Sequence, residues 1–200
     1  MAFREELADK ISALLPKEGP AADLPLELWT MDESLFGLHT IQRRRLTLRG
    51  VKPVGELQIE RQYFYVYGTV APRTGEGFFE ARRSMKKEEF NSFIGAFAAA
   101  YPDRLNVMLV DNARSHHAKD LALPPNVLLL YLPPYSPELS PIERVWLAIK
   151  NHLAWRNFDT IAALNDHLEL LVTAFEDEQL RSLTAFPFII NAIDALATAA

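Results

Sequence analysis

Two hundred residues, 49% hydrophobic and 24% charged, are enough for one globular domain with a real core and exclude a disordered chain. No apolar run approaches the roughly 20 residues of a membrane span, and the acidic start Met1-Ala2-Phe3-Arg4-Glu5-Glu6 lacks the apolar stretch of a signal peptide, so a cytoplasmic protein without membrane contact is expected. The absence of cysteine excludes disulfides, thiol catalysis and cysteine-ligated zinc.

Phe3, Leu7, Ile11, Leu14 and Leu15 recur at helical spacing and predict a helix over residues 3–15. Pro16-Lys17-Glu18-Gly19-Pro20 ends it, and a linker runs on to Pro25. Strands are expected over 28–36, over the short run 45–48, and over 62–70, where aromatic and β-branched residues dominate. Residues 78–81 add a short strand. Phe90, Phe93, Ile94 and Phe97 share one face of a helix over 86–101. The apolar runs 105–111 and 127–131 read as buried strands, with a short helix over 115–122 between them. Prolines 133, 134, 137 and 141 fill the next connection, and a helix over 141–154 turns Ile142, Val145, Trp146, Ile149 and Leu153 inward. Helices over 160–176 and 187–198 complete the chain. Strands first, then alternating helices and strands, give an α/β protein with a mixed sheet flanked by helices. The segments divide into an N-terminal helix and linker (1–25), a core (26–158) and C-terminal helices packed on it (159–200).

The net charge of −5 argues against a nucleic-acid partner, but its distribution does not. Residues 1–40 carry three Lys/Arg against eight Asp/Glu, and residues 159–200 carry one against seven. Residues 41–158 carry seventeen against eleven, so the centre is basic between two acidic ends.

Three segments hold candidate chemistry. Trp29-Thr30-Met31-Asp32-Glu33-Ser34 places acids inside an apolar strand, where burial demands a partner or a metal unless the acids face solvent. Val110-Asp111-Asn112-Ala113-Arg114-Ser115-His116 puts an acid at the C-terminal end of a buried strand, the usual ligand position in open α/β sheets and also a common turn. The third is the run from Leu132 to Trp146. Within it, Ser140-Pro141-Ile142-Glu143 reads as a capping box with proline at the first helical position. Glu143 is therefore either a cap, a metal ligand on the first helical turn, or both.

Together these segments resemble the DDE endonuclease domain of bacterial insertion-sequence transposases related to the mariner group. The matching residues are Asp32-Glu33, Asp111-Asn112-Ala113 with His116, and Pro134-Tyr135-Ser136-Pro137-Glu138-Leu139-Ser140-Pro141-Ile142-Glu143-Arg144-Val145-Trp146. Ser140 stands where relatives commonly have Asn, and 31 residues separate Asp111 from Glu143, slightly fewer than usual in the group. Glu138 is the one nearby substitute for Glu143.

The resemblance implies an RNase H-like five-stranded mixed sheet and a metal-dependent DNA endonuclease and strand transferase of cut-and-paste type. Asp32, Asp111 and Glu143 would be its catalytic and metal-binding residues. Two Mg²⁺ ions, with Mn²⁺ as substitute, spaced about 3.5–4 Å apart, would activate the attacking oxygen and stabilise the leaving one. Asp32 would bridge both ions, and Asp111 and Glu143 would each hold one. Without metal the three acids repel, so at least one raised pKa is expected. His116 matches the family histidine and would orient a carboxylate or meet substrate phosphate. Asn112 would set the loop or touch DNA. Lys150 lies two helical turns beyond Glu143 on nearly the same face and would reach a phosphate. Arg44 and Arg45, within Arg43-Arg44-Arg45, would track the DNA backbone, as would Arg49, Lys52, Arg61, Arg82, Arg83, Lys86 and Lys87. The implied partners are double-stranded DNA (transposon ends and target) and a second copy of the chain, in a dimer or larger assembly on the bacterial nucleoid. Relatives carry N-terminal helix-turn-helix modules, for which residues 1–25 leave no room. An isolated catalytic domain, a split transposase with a separate DNA-binding chain, and a truncated remnant all fit. A plain metal-dependent nuclease and a non-catalytic subunit that binds DNA or a partner chain are the functional alternatives.

Overall fold

The structure, a computed structural model, describes residues 2–44, 46–52, 54–113, 116 and 121–199. Two short helices, Ala2–Glu5 (α1) and Leu7–Leu14 (α2), replace the single expected helix, because the chain bends at Glu6. Leu26–His39 (β1), Ile59–Val70 (β2) and Gly77–Arg82 (β3) form an antiparallel meander. Lys87–Ala100 (α3), Leu105–Val110 (β4), Val127–Tyr131 (β5) and Ile142–His152 (α4) then alternate, with a 3₁₀ turn at Pro137–Leu139 ahead of α4. Ile161–Thr173 (α5), Asp177–Thr184 (α6) and Pro187–Ala199 (α7) follow. The sheet order is β3-β2-β1-β4-β5, with β4 parallel to β1 and β5 parallel to β4. This is the expected RNase H-like mixed five-stranded sheet flanked by helices.

Several local expectations need correction. Residues 46–48 form no strand, and Leu46 and Leu48 are exposed. A three-residue alternation offers no ladder when no neighbouring strand runs beside it. The expected helix over 160–176 ends at Thr173, and α6 is new. Its start is set by a capping box in which Glu176 and Gln179 each bond the other's backbone N–H. Most of the short helix expected over 115–122 lies outside the described residues, as does Arg45.

The core is arranged around β1, whose side chains alternate between two faces. Trp29 and Met31 face α3, packing with Phe90, Phe93, Ile94 and Phe97. The opposite face carries two separate apolar clusters. Leu28 joins Val107, Leu109 and the helices α2 and α7 through Leu7, Ile11, Ile189 and Ile193. Phe36 and Leu38 join Val145, Trp146, Ile149, Leu164, Leu168 and Leu180 from α4, α5 and α6. Asp32 has the same parity as Leu28 and Phe36, so it stands between these two clusters.

The sheet is shaped to admit one indole. In the β1–β2 register Gly68 lies opposite Asp32. A Cβ on Gly68 would come within 2.5 Å of the Trp146 ring and 2.7 Å of the Phe79 ring. Trp146 is 1% exposed and packs edge-on against Phe36 and Phe79 at 6.2 and 6.0 Å between centroids. Gly68→Ala forces these two rings apart and is expected to lower the unfolding free energy by about 1–3 kcal/mol, as overpacking does. Urea denaturation followed by Trp fluorescence measures this directly.

Candidate active site

The β1–β4 register runs to Thr30 opposite Leu109. Carried two residues further, it puts Asp32 beside Asp111, on the same face of adjacent parallel strands. Here β4 ends, leaving Asp111 just beyond Val110 at the mouth of the sheet. The proline-rich connection then returns the chain over this point. Leu139, Ser140, Pro141 and Ile142 are all buried, which anchors the start of α4 beside β1. Glu143 is on the first turn of α4 and exposed, while Ile142, Val145, Trp146 and Ile149 hold the helix to the core.

Asp32, Asp111 and Glu143 line one cavity of about 520 Å³, together with Asn112, Ala113, Leu132, Ser140 and the 133–137 segment. Tyr135 stands fully exposed at its rim with a left-handed backbone, φ 55°. Among the described residues no three His, Asp or Glu side chains are already drawn in to the spacing of a closed metal centre. Two of the carboxylates are instead held by protein groups. Trp146 Nε1 donates to Asp32 Oδ2 at 3.0 Å. Asp111 Oδ1 accepts the Ala113 backbone N–H at 2.9 Å and lies 2.8 Å from His116 Nδ1.

The electrostatics follow from this crowding. Burial, then the charges of Glu143 and Glu33, with a smaller push from Asp111, raise the Asp32 carboxyl to about 7. His116 moves the other way from what burial alone dictates. Burial pulls the imidazole down, but its bonds to Asp111 and Glu33 outweigh that and carry it up to about 10.

The other predicted residues fall in different places. Asn112 lines the cavity, and its side-chain amide donates to the Leu132 carbonyl, tying the end of β4 to the end of β5. His116 is fully buried rather than at the surface, its ring tilted against that of Phe90 at 4.4 Å between centroids. Glu143 makes no capping bond: the helix N-cap is Pro141, and Glu143 N donates to the Ser140 carbonyl rather than to its hydroxyl. The anticipated capping box is therefore absent: Ser140 is extended and Pro141 helical, as a cap followed by a first helical residue would be, but the reciprocal side-chain bonds of the box are not made. Arg44 is exposed on the β1–β2 connection. Lys150 does not reach the acid cavity. Its ammonium sits 5.7 Å over the Phe36 ring and lines a second cleft of about 530 Å³ with Arg43, Arg61 and Arg156.

Two residues central to the site carry no sequence signal for their roles. Helical spacing marks Trp146 only as core, and its indole N–H bond to Asp32 arises from the tertiary structure. Glu33, beside Asp32 in an apolar strand, could face solvent by sequence, yet its side chain is 0% exposed. Strand parity was the available signal, since it places Glu33 on the face of Trp29 and Met31.

The profile of the DDE superfamily endonucleases matches residues 27–165, and the chain belongs to that family. Its fold is that of the Mos1 transposase. The Mos1 strand transfer complex matches with a TM-score of 0.70 at 17% identity, covering 98% of this chain and 59% of that one. The Mos1 mariner paired end complex with Mn matches with a TM-score of 0.69 at 16% identity, covering 98% and 60%. This chain thus spans about three-fifths of the Mos1 chains it matches. The uncharacterized protein y4pE/y4sA of Sinorhizobium fredii (strain NBRC 101917 / NGR234) is 32% identical over 89 residues, 44% of this chain and 66% of that protein. No single helix among the described residues is long and apolar enough to cross a membrane.

The raised Asp32 carboxyl has a consequence for stability. Between its ordinary 3.8 and about 7 the folded chain holds a proton that the unfolded chain has released. Stability in metal-free buffer therefore falls as pH rises through that window. Asp32→Asn, which keeps the Trp146 bond without the charge, is expected to flatten this part of the profile and to melt above the parent at about pH 8 in EDTA. Thermal melts of both proteins across pH provide the check.

Proposed function

We propose that this domain cleaves DNA phosphodiester bonds and joins the freed end to a target, as in cut-and-paste transposition, with divalent cations held by Asp32, Asp111 and Glu143. One observation carries the reading: Asp32, a partly buried sheet carboxylate, shares one open cavity with Asp111 and Glu143, and its charge is suppressed by burial and then by the neighbouring acids. Such an arrangement is unfavourable for folding alone and is relieved by a bound cation. The donor set fits a hard ion, because all three side chains offer oxygen. The matched Mos1 structures, one a paired end complex with Mn and one a strand transfer complex, support the same direction. Bound Mg²⁺ or Mn²⁺ would supply Lewis acidity and an activated oxygen nucleophile.

In hydrolysis a water oxygen bonds to phosphorus and the P–O3′ bond breaks. The products are a 3′-hydroxyl and a 5′-phosphate. In joining, that 3′-hydroxyl attacks a target phosphodiester and a target 3′-hydroxyl leaves. The protein's part is positional. Trp146 and the Ala113 N–H hold two of the acids, while the Asn112–Leu132 bond fixes the loop below the cavity. The second cleft, with Arg43, Arg61, Lys150 and Arg156, supplies positive charge for the duplex backbone. Two copies of the chain on DNA complete the proposed assembly on the nucleoid.

The test is cleavage of a transposon-end duplex with Mg²⁺ or Mn²⁺, followed by joining of a pre-cut end to plasmid. Asp111→Asn and Glu143→Gln are each expected to reduce nicking to background while leaving DNA affinity in EDTA intact. Cleavage without joining would select plain hydrolysis. No cleavage, even with a DNA-binding partner chain supplied, would sink the proposal. For the basic cleft, Lys150→Ala with Arg156→Ala is expected to weaken DNA binding and to reduce the slope of log affinity against log salt by about 1 per residue removed. Fluorescence anisotropy over a salt series reads this slope.

A further inference from the structure

Asp32 and Glu33 are neighbours in sequence but occupy opposite faces of β1. Asp32 faces α4 and the cavity, bonded to Trp146. Glu33 faces α3, in a place closed to solvent. There Glu33 Oε1 lies 3.0 Å from His116 Nε2, and the same ring's Nδ1 lies 2.8 Å from Asp111 Oδ1. The chain of contacts therefore runs from behind the sheet, through one imidazole, to a carboxylate at the cavity. His116 is itself fixed: fully buried, its ring tilted against that of Phe90, and its backbone carbonyl accepting the Tyr131 hydroxyl at 2.6 Å.

We infer that Glu33 and His116 act as a positioning pair that sets the orientation of Asp111 for cation binding. The inference rests on the reading of Asp111 as a ligand given above. The plainest alternative is a stabilising core salt bridge, and magnitudes weigh against it. Taking an ion pair out of water is expensive, and well-packed apolar residues of similar volume usually serve the fold as well or better. Glu33 is also poorly satisfied as a stabiliser, since its Oε2 has no hydrogen-bond partner among the described residues. What the pair does uniquely is touch Asp111. That side chain is about half exposed, at 54%, and sits beyond the end of its strand. Its Oδ1 takes both the Ala113 N–H and the His116 Nδ1 contact, and the imidazole contact, backed by Glu33, restrains the torsion that a cation ligand must hold.

The experiment is Mn²⁺ titration of the full chain, without DNA, followed by the EPR signal of free Mn²⁺, with thermal melts in parallel. Glu33→Gln keeps shape and removes charge. The double variant Glu33→Leu with His116→Phe refills the volume with apolar atoms and guards against simple unfolding. Glu33→Gln is expected to weaken Mn²⁺ binding about 10-fold, and the double variant by about 10–100-fold, the range typical of partners that orient metal ligands. The double variant is expected to melt at or above the parent temperature, so stability and Mn²⁺ affinity separate. Asp111→Asn is the reference. If it abolishes binding while both Glu33 variants bind as the parent does, the positioning inference is overturned alone. If Asp111→Asn itself binds Mn²⁺ like the parent, the site reading falls and this inference with it.

Discussion

A carboxylate in the middle of a sheet is the constraint on which this structure turns. Asp32 lies on the central strand, between two apolar clusters, where an isolated charge is strongly disfavoured. The surroundings answer in specific ways. Trp146 brings its only donor to Asp32, and Gly68 gives up a side chain so that the indole can cross the sheet. The prolines ahead of α4 and the buried Leu139–Ile142 stretch place that helix where Trp146 must be. None of these neighbours neutralises the charge, and the other acids raise the carboxyl further. The unmet requirement is for positive charge, and the open cavity is where it would enter.

The same strand separates two duties by its pleat. A period of two sends adjacent acids to opposite faces. Asp32 belongs to the cavity, and Glu33 to the packed side beneath α3, where it meets His116. Asp111, just past the end of β4, is the point where the two faces communicate, because His116 reaches it from behind while the cavity opens in front. A site built at the ends of paired strands inherits their register, which is far stiffer than a loop.

Charge is also distributed by architecture. The chain is acidic overall, yet Arg43, Arg61, Lys150 and Arg156 gather around one cleft beside the acid cavity. Arg43 comes from the β1–β2 connection, Arg61 from β2, Lys150 from α4, and Arg156 follows α4, so no short sequence window reveals the patch. The acidic C-terminal segment forms α5, α6 and α7, which pack on the α4 side of the sheet.

The sequence by itself determined the elements with strong periodicity. The strands β1, β2, β4 and β5 follow from apolar, aromatic and β-branched runs and the helices α3 and α4 from helical spacing, and the family motif picked out Asp32, Asp111 and Glu143. It missed where local pattern is weak. The 45–48 run looks extended but has no strand beside it, and α6 depends on a Glu176–Gln179 cap within a polar stretch. Only the tertiary structure decided that Asp32 lies beside Asp111, that Trp146 bonds Asp32, that Glu33 is buried against His116, and that Lys150 belongs to the second cleft. Each of these depends on strand register or on which face meets which helix. Such pairings join residues 77 to 114 positions apart, as with Trp29 and Asn106 or Asp32 and Trp146, and periodicity within one element carries no information about its partner.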